Sequence, residues 1–251
     1  MLPRVIPSLL LSKERLVKTE RFRASRYVGD PINAIRIFNE KEVDELMVLD
    51  IDATRSGAEP QYALIERLAG ECFMPLAYGG GVRTLEQARR LFRLGVEKIC
   101  LQSAVLARPR FVSEVAEVFG SQSVVVSIDV RRTCFGRPKV FDSVRRRNHA
   151  TSLETLLSEV VSFGAGEILL TSVDREGTLS GPDLALIGEV APRVSVPLVA
   201  AGGISCLEDI RQAVLAGASA VAAGAFFVFH GPHRAVLITY PGYSALEELF
   251  R

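Results

Sequence analysis

Carboxylate side chains stand at the ends of apolar runs in this 251-residue sequence. Asp129 closes "SVVVSID", Asp50 and Asp52 close "ELMVLDID", and Asp174 and Glu176 follow "EILLTS". A carboxylate held at the end of a buried strand can act as a general acid or base. We predict this role for Asp129, although a loop cap or an ion pair is the simpler interpretation. For Asp50 and Asp52 we favour a structural or supporting role.

Two glycine turns repeat the same pattern along the chain. Gly80-Gly81 end the run "MPLAYGGG", and Gly202-Gly203 end "VPLVAAGG". Glycine lets backbone N–H groups approach a phosphate, and the N-terminus of the following helix adds positive potential. The next apolar runs end in "LQSA" and "AAGA", which would supply further N–H donors. We therefore predict two phosphate cradles and a substrate with a phosphate at each end. The alternative is inherited turn geometry in which one or both cradles are unused.

The two turns belong to a longer internal repeat. Gly80 precedes Gly202 by 122 positions, and the same interval separates Pro75 from Pro197. Equal spacing over about fifty residues indicates two copies of one supersecondary unit.

Short apolar runs alternate with amphipathic stretches, which predicts eight strands that are mostly followed by helices. Strands that are apolar throughout are typical of a parallel sheet covered by helices. We predict an α/β fold: a single (β/α)8 TIM barrel over residues 1–251 with two-fold half-barrel pseudosymmetry, its halves roughly 1–120 and 121–251. A doubly wound open sheet is the alternative, but it does not require equal halves. In such barrels the chemistry lies at the carboxyl ends of the strands.

Composition excludes several classes of function. Lys plus Arg number 30 against 29 Asp plus Glu, which argues against a general nucleic-acid binder. The four cysteines and three histidines show no metal-ligand spacing, so we expect reduced thiols and no metal site. No run reaches the ~18 apolar residues of a membrane span. A charge and two prolines interrupt the apolar N-terminus, which argues against a signal peptide. We expect a cytoplasmic protein that has no membrane partner.

Several phrases resemble the cyclase subunit of imidazole glycerol phosphate synthase, HisF: "RVIPSLL", "DELMVLDIDA", "PLAYGGGVRTLEQA", "GAGEILLTSVDREGT" and "AGGISCLEDI". The resemblance covers nearly the whole chain. It implies a β/α barrel, without a cofactor, that uses ammonia from a HisH glutaminase to close an imidazole ring in histidine biosynthesis. It also implies a set of substrate- and phosphate-binding positions: Lys18, Asp50, Gly80, Gly81, Gln102, Ser103, Thr171, Asp174, Glu176, Gly177, Gly202, Gly203, Gly224 and Ala225.

The catalytic pair of the family is incomplete in this chain. The family carries one aspartate at the end of the first strand and one at the end of the fifth. The second is present as Asp129, but Leu10 occupies the first position and cannot transfer a proton. Three further positions differ from the family pattern: Gln102-Ser103 in place of Asn-Thr, Glu176 in place of Asp, and Ala225 in place of Ser.

Four charges at the opposite end of the predicted barrel match the family fully. The resemblance implies that Arg4, Glu45, Lys98 and Glu167 form a ring that gates an ammonia channel. Charges that converge on a barrel axis are costly unless they are paired. The alternative is therefore a salt-bridge cluster that only closes the base of the barrel.

The phrase "IPSLLL" and the tail "FHGPHRAVLITYP" resemble a HisF-like branch associated with sugar amidation in lipopolysaccharide or O-antigen biosynthesis. We therefore expect an ammonia conduit that works with a HisH-like glutaminase and a separate sugar amidotransferase. One alternative is a working cyclase in which Lys18 or Glu176 covers for Leu10. Another is a non-enzymatic module that binds a phosphorylated metabolite.

Overall fold

Eight parallel strands form the centre of the computed structural model, which describes residues 2–251. They are β1 Arg4–Ser12, β2 Leu46–Asp50, β3 Leu76–Gly79, β4 Lys98–Leu101, β5 Val124–Arg132, β6 Glu167–Ser172, β7 Leu198–Ala201 and β8 Ala220–Ala223. Each strand pairs with the next, and β8 pairs in parallel with β1. The closed ring confirms the predicted barrel and excludes the open sheet.

Helices surround the strands: α1 Pro31–Glu40, α2 Tyr62–Glu71, α3 Leu85–Arg93, α4 Phe111–Phe119, α5 Leu153–Ser162, α6 Leu184–Val190, α7 Leu207–Leu215 and α8 Tyr243–Leu249. The first seven each connect two neighbouring strands, and α8 follows the last strand. Thr84 caps α3 in a reciprocal pair of hydrogen bonds with Gln87. No helix in the described residues is both long and apolar enough to cross a membrane.

Short elements decorate the carboxyl ends of the strands. Hairpins follow β1, β5 and β8, and they comprise Arg15–Thr19 with Ser25–Gly29, Pro138–Asp142 with Arg147–Asn148, and Phe229–His230 with Ala235–Val236. Single-turn helices follow β2, β4 and β8 at Ala53–Ser56, Ser103–Ala107 and Ala225–Val228. The basic stretch after β5 forms a hairpin over the barrel mouth, because Pro138–Asp142 pairs antiparallel with the end of β5.

The barrel interior is layered, because alternate side chains of each strand point inward. Four charged residues lie at the amino ends of the strands and are described below. Above them is an apolar layer of Ile6, Met47, Ala77, Cys100, Val125, Leu169, Val199, Ala220 and Ala222. Polar side chains reappear above this layer, where Ser8 and Ser127 line the cavity. The interior thus separates two polar regions by an apolar one.

The repeated glycines make the same close contact in each half of the barrel. A Cβ on Gly80 would lie 2.4 Å from the carbonyl oxygen of Asp50, and one on Gly202 would lie 2.6 Å from that of Ser172. Both glycines have positive φ, 120° and 99°. Asp50 and Ser172 are themselves one repeat interval apart. The two halves therefore repeat one turn geometry, which confirms the predicted pseudosymmetry.

We expect Gly202→Ala to lower the free energy of unfolding by about 2 kcal/mol or more, because its Cβ meets backbone and its φ is unfavourable for an L-residue. Denaturant unfolding measures this difference. The matched control is Gly188→Ala in the exposed part of α6, where no atom lies closer than 3.9 Å to the added Cβ. Alanine should stabilise that helix by up to about 1 kcal/mol. Equal effects of the two variants would contradict the steric argument.

Candidate active site at the barrel mouth

A cavity of about 580 Å³ opens at the carboxyl ends of the strands. Eleven of the residues singled out in the sequence line it: Leu10, Asp50, Asp52, Gly80, Gly81, Gln102, Ser103, Asp129, Thr171, Glu176 and Gly224. They come from seven of the eight strands or the loops that follow them. Barrel closure brings these distant positions to one mouth.

The second glycine turn lies beside this cavity in a much smaller hollow of about 10 Å³. Its lining includes Glu176, Gly177, Gly202, Gly203, Gly224 and Ala225. Glu176 and Gly224 line both spaces, so the two spaces adjoin. The two turns share a backbone geometry but differ in the room they leave for a ligand.

Two predicted site residues, Lys18 and Asp174, line neither space. The carboxylate of Asp174 accepts the backbone N–H of Arg132 at 2.8 Å, which ties the loop after β6 to the end of β5. The buried ammonium of Lys18 is paired with the carboxylate of Glu176. Burial lowers the pKa of Lys18, while the neighbouring carboxylate favours its charged form.

Asp129 is buried at the inner end of the cavity. Burial raises the pKa of its carboxyl to about 7, against the opposing effect of the Thr171 and Ser127 hydroxyls; Asp142 adds to the rise. Both protonation states are therefore populated near neutral pH. This is the range in which a carboxyl group serves as either general acid or general base.

Gln102 orients Asp129. Its side-chain amide donates to Oδ2 of Asp129 at 3.0 Å and to the carbonyl of Phe141 at 3.2 Å. Its own carbonyl oxygen accepts from the hydroxyls of Ser103 at 2.9 Å and Ser143 at 3.1 Å. The Gln102-Ser103 pair, which departs from the family pattern, is thus part of a connected network around the surviving acid.

Leu10 lies on β1 and lines the same cavity as Asp129. It is 8% exposed and pairs with Leu49 on the neighbouring strand. Its side chain offers no group that can move a proton or hydrogen-bond a ligand. The cavity therefore has a hydrocarbon surface at the position where the resemblance predicts a second acid.

Asp50 supports the loop after β2. Its Oδ1 accepts the backbone N–H groups of Asp52 at 2.9 Å and Ala53 at 3.0 Å, and Oδ2 accepts from the Gln61 amide at 3.4 Å. Asp52 in turn accepts from the Ser12 hydroxyl at 2.6 Å. These contacts hold the turn that enters the short helix Ala53–Ser56.

Sequence reasoning missed two buried polar residues that line the cavity. Asp142 is buried in the hairpin after β5, and its Oδ1 accepts the backbone N–H groups of Val144 and Arg145. Thr19 is buried on the hairpin after β1, and its hydroxyl has no protein partner within the described residues. No spacing signal identifies them, because both enter the site through accessory hairpins.

A closed ring of four charges, here called the basal ring, lies at the amino ends of the strands. The ammonium of Lys98 lies 2.8 Å from Glu45 and 3.2 Å from Glu167, and the guanidinium of Arg4 pairs with both carboxylates. Glu45 and Glu167 are only 2% and 4% exposed. Burial lowers the pKa of Arg4, but the two carboxylates outweigh it and leave a net rise. Each charge thus touches two of opposite sign.

The stability of the protein should report the protonation of Asp129. An unfolded aspartate titrates near 3.9, whereas folded Asp129 titrates at about 7, so the folded state binds more protons between these values. Stability contributed by the neutral form is therefore lost as pH rises through this window, at about 1.4 kcal/mol per unit. We therefore expect the stability of Asp129→Asn relative to wild type to increase from pH 4 to pH 8. Denaturant unfolding measures this difference.

Asp183→Asn is the matched control for that pH series. Burial raises the pKa of Asp183, but Arg132 and the N–H of Leu186 outweigh it and leave the pKa lowered. Its stabilising contribution is therefore lost only as pH falls below the unfolded value of about 3.9, so Asp183→Asn should be less stable than wild type by a nearly constant amount between pH 4 and pH 8. A flat difference for Asp129→Asn across this range would contradict the buried-acid assignment.

The fold and the site define a (β/α)8 barrel that has a buried carboxyl of raised pKa at its mouth and a charged ring at its base. The family described as "Histidine biosynthesis protein" matches residues 4–232, and the chain belongs to this family, on its HisF branch. A Pseudomonas aeruginosa protein provisionally named imidazole glycerol phosphate synthase subunit hisF2 is 51% identical over 97% of this chain and 98% of its own length.

Two further relatives span the same length. A Vibrio vulnificus protein, provisionally named subunit hisF3 of the same synthase, is 47% identical over 96% of this chain and 94% of its own. The imidazole glycerol phosphate synthase subunit HisF of Exiguobacterium sibiricum is 38% identical over 90% of this chain and 91% of its own. The similarity thus extends across the whole barrel.

Proposed function

We propose that this chain is the HisF-like subunit of a glutamine-dependent amidotransferase complex. A HisH-like glutaminase would deliver ammonia at the basal ring, and the barrel would pass it to the mouth. One observation carries the proposal: the basal ring is complete and closed, while Leu10 lines the cavity where the resemblance predicts a catalytic aspartate. In this proposal the chain keeps the entrance for ammonia but lacks one member of the cyclase pair.

The barrel interior is suited to neutral ammonia. The apolar layer stands between the basal ring and the cavity and offers no polar side chain. An ammonium ion would lose its hydration there without compensation, whereas the neutral molecule loses much less. The two cations of the ring are the more exposed members, at 32% for the side chain of Arg4 and 21% for Lys98. They are therefore the members of the ring that would move aside to admit ammonia.

The ammonia acceptor in this proposal is a sugar in surface-polysaccharide biosynthesis, amidated by a separate sugar amidotransferase. The support is Leu10 together with the tail, which returns to the base of the barrel. The Tyr240 hydroxyl donates to the carbonyl of Val5 at 2.9 Å, next to Arg4.

Stimulation of a HisH-type glutaminase from the same organism tests the proposal. Phe73 is 85% exposed and precedes β3 on the basal face, whereas Phe135 is 87% exposed in the hairpin over the mouth. Exposed aromatic anchors contribute strongly to interfaces. We expect the wild-type chain to raise glutamine hydrolysis, Phe73→Ser to weaken the complex about tenfold or more, and Phe135→Ser to leave it unchanged.

Glutamine hydrolysis that is unaffected by the chain would refute the proposal. Equal weakening by the two serine variants would place the partner elsewhere than on the basal face. Both variants remove the same exposed side chain, so a general loss of solubility or stability cannot imitate the expected difference.

A working cyclase of histidine biosynthesis is the second candidate. Asp129, with its pKa of about 7, and the Gly80-Gly81 turn favour it. It requires a group that covers for Leu10, and Glu176 lines the cavity but is paired with Lys18. Turnover of the bisphosphate ribonucleotide substrate with ammonium separates the two candidates.

A further inference from the structure

Arginines surround the outer part of the cavity, beyond the groups assigned so far. Arg23, Arg55, Arg83, Arg108 and Arg145 line it, and all are exposed. They come from the loops that follow β1, β2, β3, β4 and β5. None of them is required by the acid/base network or by the basal ring.

Hydrogen bonds join three of these loops into one rim. The guanidinium of Arg83 donates to the carbonyl of Gly57 at 2.9 Å, just past the short helix that carries Arg55. Arg55 donates to the carbonyl of Ser143 at 3.1 Å, two residues before Arg145. The Gly81 N–H donates to the Thr54 hydroxyl at 3.1 Å, which ties the glycine turn to the same helix.

The rim carries positive charge that the protein does not neutralise. Within residues 2–251, Arg55 and Arg83 take part in no ion pair, and their observed partners are neutral carbonyl groups. Arg145 reaches Asp142 only at 3.7 Å. Arg108 is the exception, since it is paired with the exposed Glu114.

Most carboxylates that line the cavity are engaged by other groups. Asp50 and Asp142 each accept two backbone N–H groups, Glu176 is paired with Lys18, and Asp129 is partly neutral near pH 7. Asp52, which accepts from the Ser12 hydroxyl, is the remaining acidic group. These groups belong to the inner cavity or to the supporting turns. The unpaired guanidinium groups remain at the outer edge, beside Gly80-Gly81.

We propose that Arg55, Arg83 and Arg145 form an anion subsite for an organic diphosphate, whose two adjoining phosphoryl groups bind at the rim beside the first glycine turn. Planar guanidinium groups on separate loops suit an extended anion, because each can bind a different phosphoryl oxygen pair. That this ligand accepts the ammonia rests on the proposed function. Its binding at the rim does not, because binding requires no glutaminase.

Titration calorimetry at fixed ionic strength tests the subsite with inorganic pyrophosphate and inorganic phosphate as probes. We expect pyrophosphate to bind about tenfold tighter than phosphate, and Arg55→Ala and Arg83→Ala each to weaken pyrophosphate about tenfold, since each removes charge-assisted hydrogen bonds. Arg89→Ala is the control, because this exposed arginine of α3 is paired with Glu86 and does not line the cavity. It should leave the affinity unchanged.

Equal affinity for the two probes would overturn the proposal, and so would pyrophosphate binding that survives both rim substitutions. Unfolding midpoints of the variants show whether each remains folded, and Arg55 and Arg83 provide independent tests. Loss of pyrophosphate preference with intact glutaminase stimulation refutes the diphosphate subsite alone. The reverse result refutes the proposed complex and leaves the subsite standing.

Discussion

Leu10→Asp is expected to give the protein ammonium-dependent cyclase turnover that the wild type lacks. The substitution places a second carboxylate in the cavity that already contains Asp129. Acid/base catalysis by a positioned group contributes about 10²–10⁴-fold, so we expect a gain of at least about 100-fold over wild type. Product formation from the bisphosphate ribonucleotide substrate and ammonium measures it.

Two further variants separate proton transfer from shape. Leu10→Asn is nearly isosteric with the aspartate variant but cannot act as a base, so its turnover should remain at the wild-type level. Adding Asp129→Asn to Leu10→Asp should abolish the gain, because the reaction needs both groups. Turnover by the wild type at the rate of Leu10→Asp would contradict the interpretation of Leu10 and favour the working cyclase.

Lys98→Met is expected to be the most destabilising single change at the base of the barrel. It leaves Glu45 and Glu167, which are almost fully buried, with Arg4 as their sole cationic partner. Removing one partner from a buried ion-pair cluster costs about 3–5 kcal/mol, because the remaining charge is uncompensated. Since Lys98 is itself 21% exposed, we expect the lower end, about 3 kcal/mol, in urea unfolding.

Arg211→Met provides the control for that measurement. Arg211 is paired with Glu208 on the exposed face of α7, and exposed pairs contribute at most about 1 kcal/mol. Similar losses for the two variants would show that the basal ring does not stabilise the barrel.

If the ring gates ammonia, Lys98→Met should also make glutamine hydrolysis independent of ligand binding at the mouth. A salt-bridge cluster that only closes the base would change stability without changing this coupling.

The repeat in the sequence was sufficient to predict the barrel. Eight apolar runs with intervening helices, and glycines one repeat interval apart, are local properties that persist in the folded chain. Gly80 and Gly202 adopt positive φ and lie close to a carbonyl oxygen. Glycine is the residue that tolerates both conditions, so its presence in the sequence already indicates such a turn. The position of Asp129 at the end of an apolar run likewise predicted its place at the mouth.

Contacts between distant loops could not be predicted in this way. Gln102 and Asp129 are hydrogen-bonded across neighbouring strands, and Ser143 joins them from the hairpin after β5. Arg55 meets the carbonyl of a residue 88 positions away. No sequence period encodes such pairs, since each depends on how the loops pack over the closed barrel.

The sequence by itself therefore determined the fold, the family and the residues available for chemistry, because these depend on periodicity and residue type. Only the tertiary structure decided which charges meet. It closed Arg4, Glu45, Lys98 and Glu167 into a ring, and it raised the pKa of Asp129 to about 7. Both outcomes arise from burial and distance, which exist only once the barrel closes and excludes water from its interior.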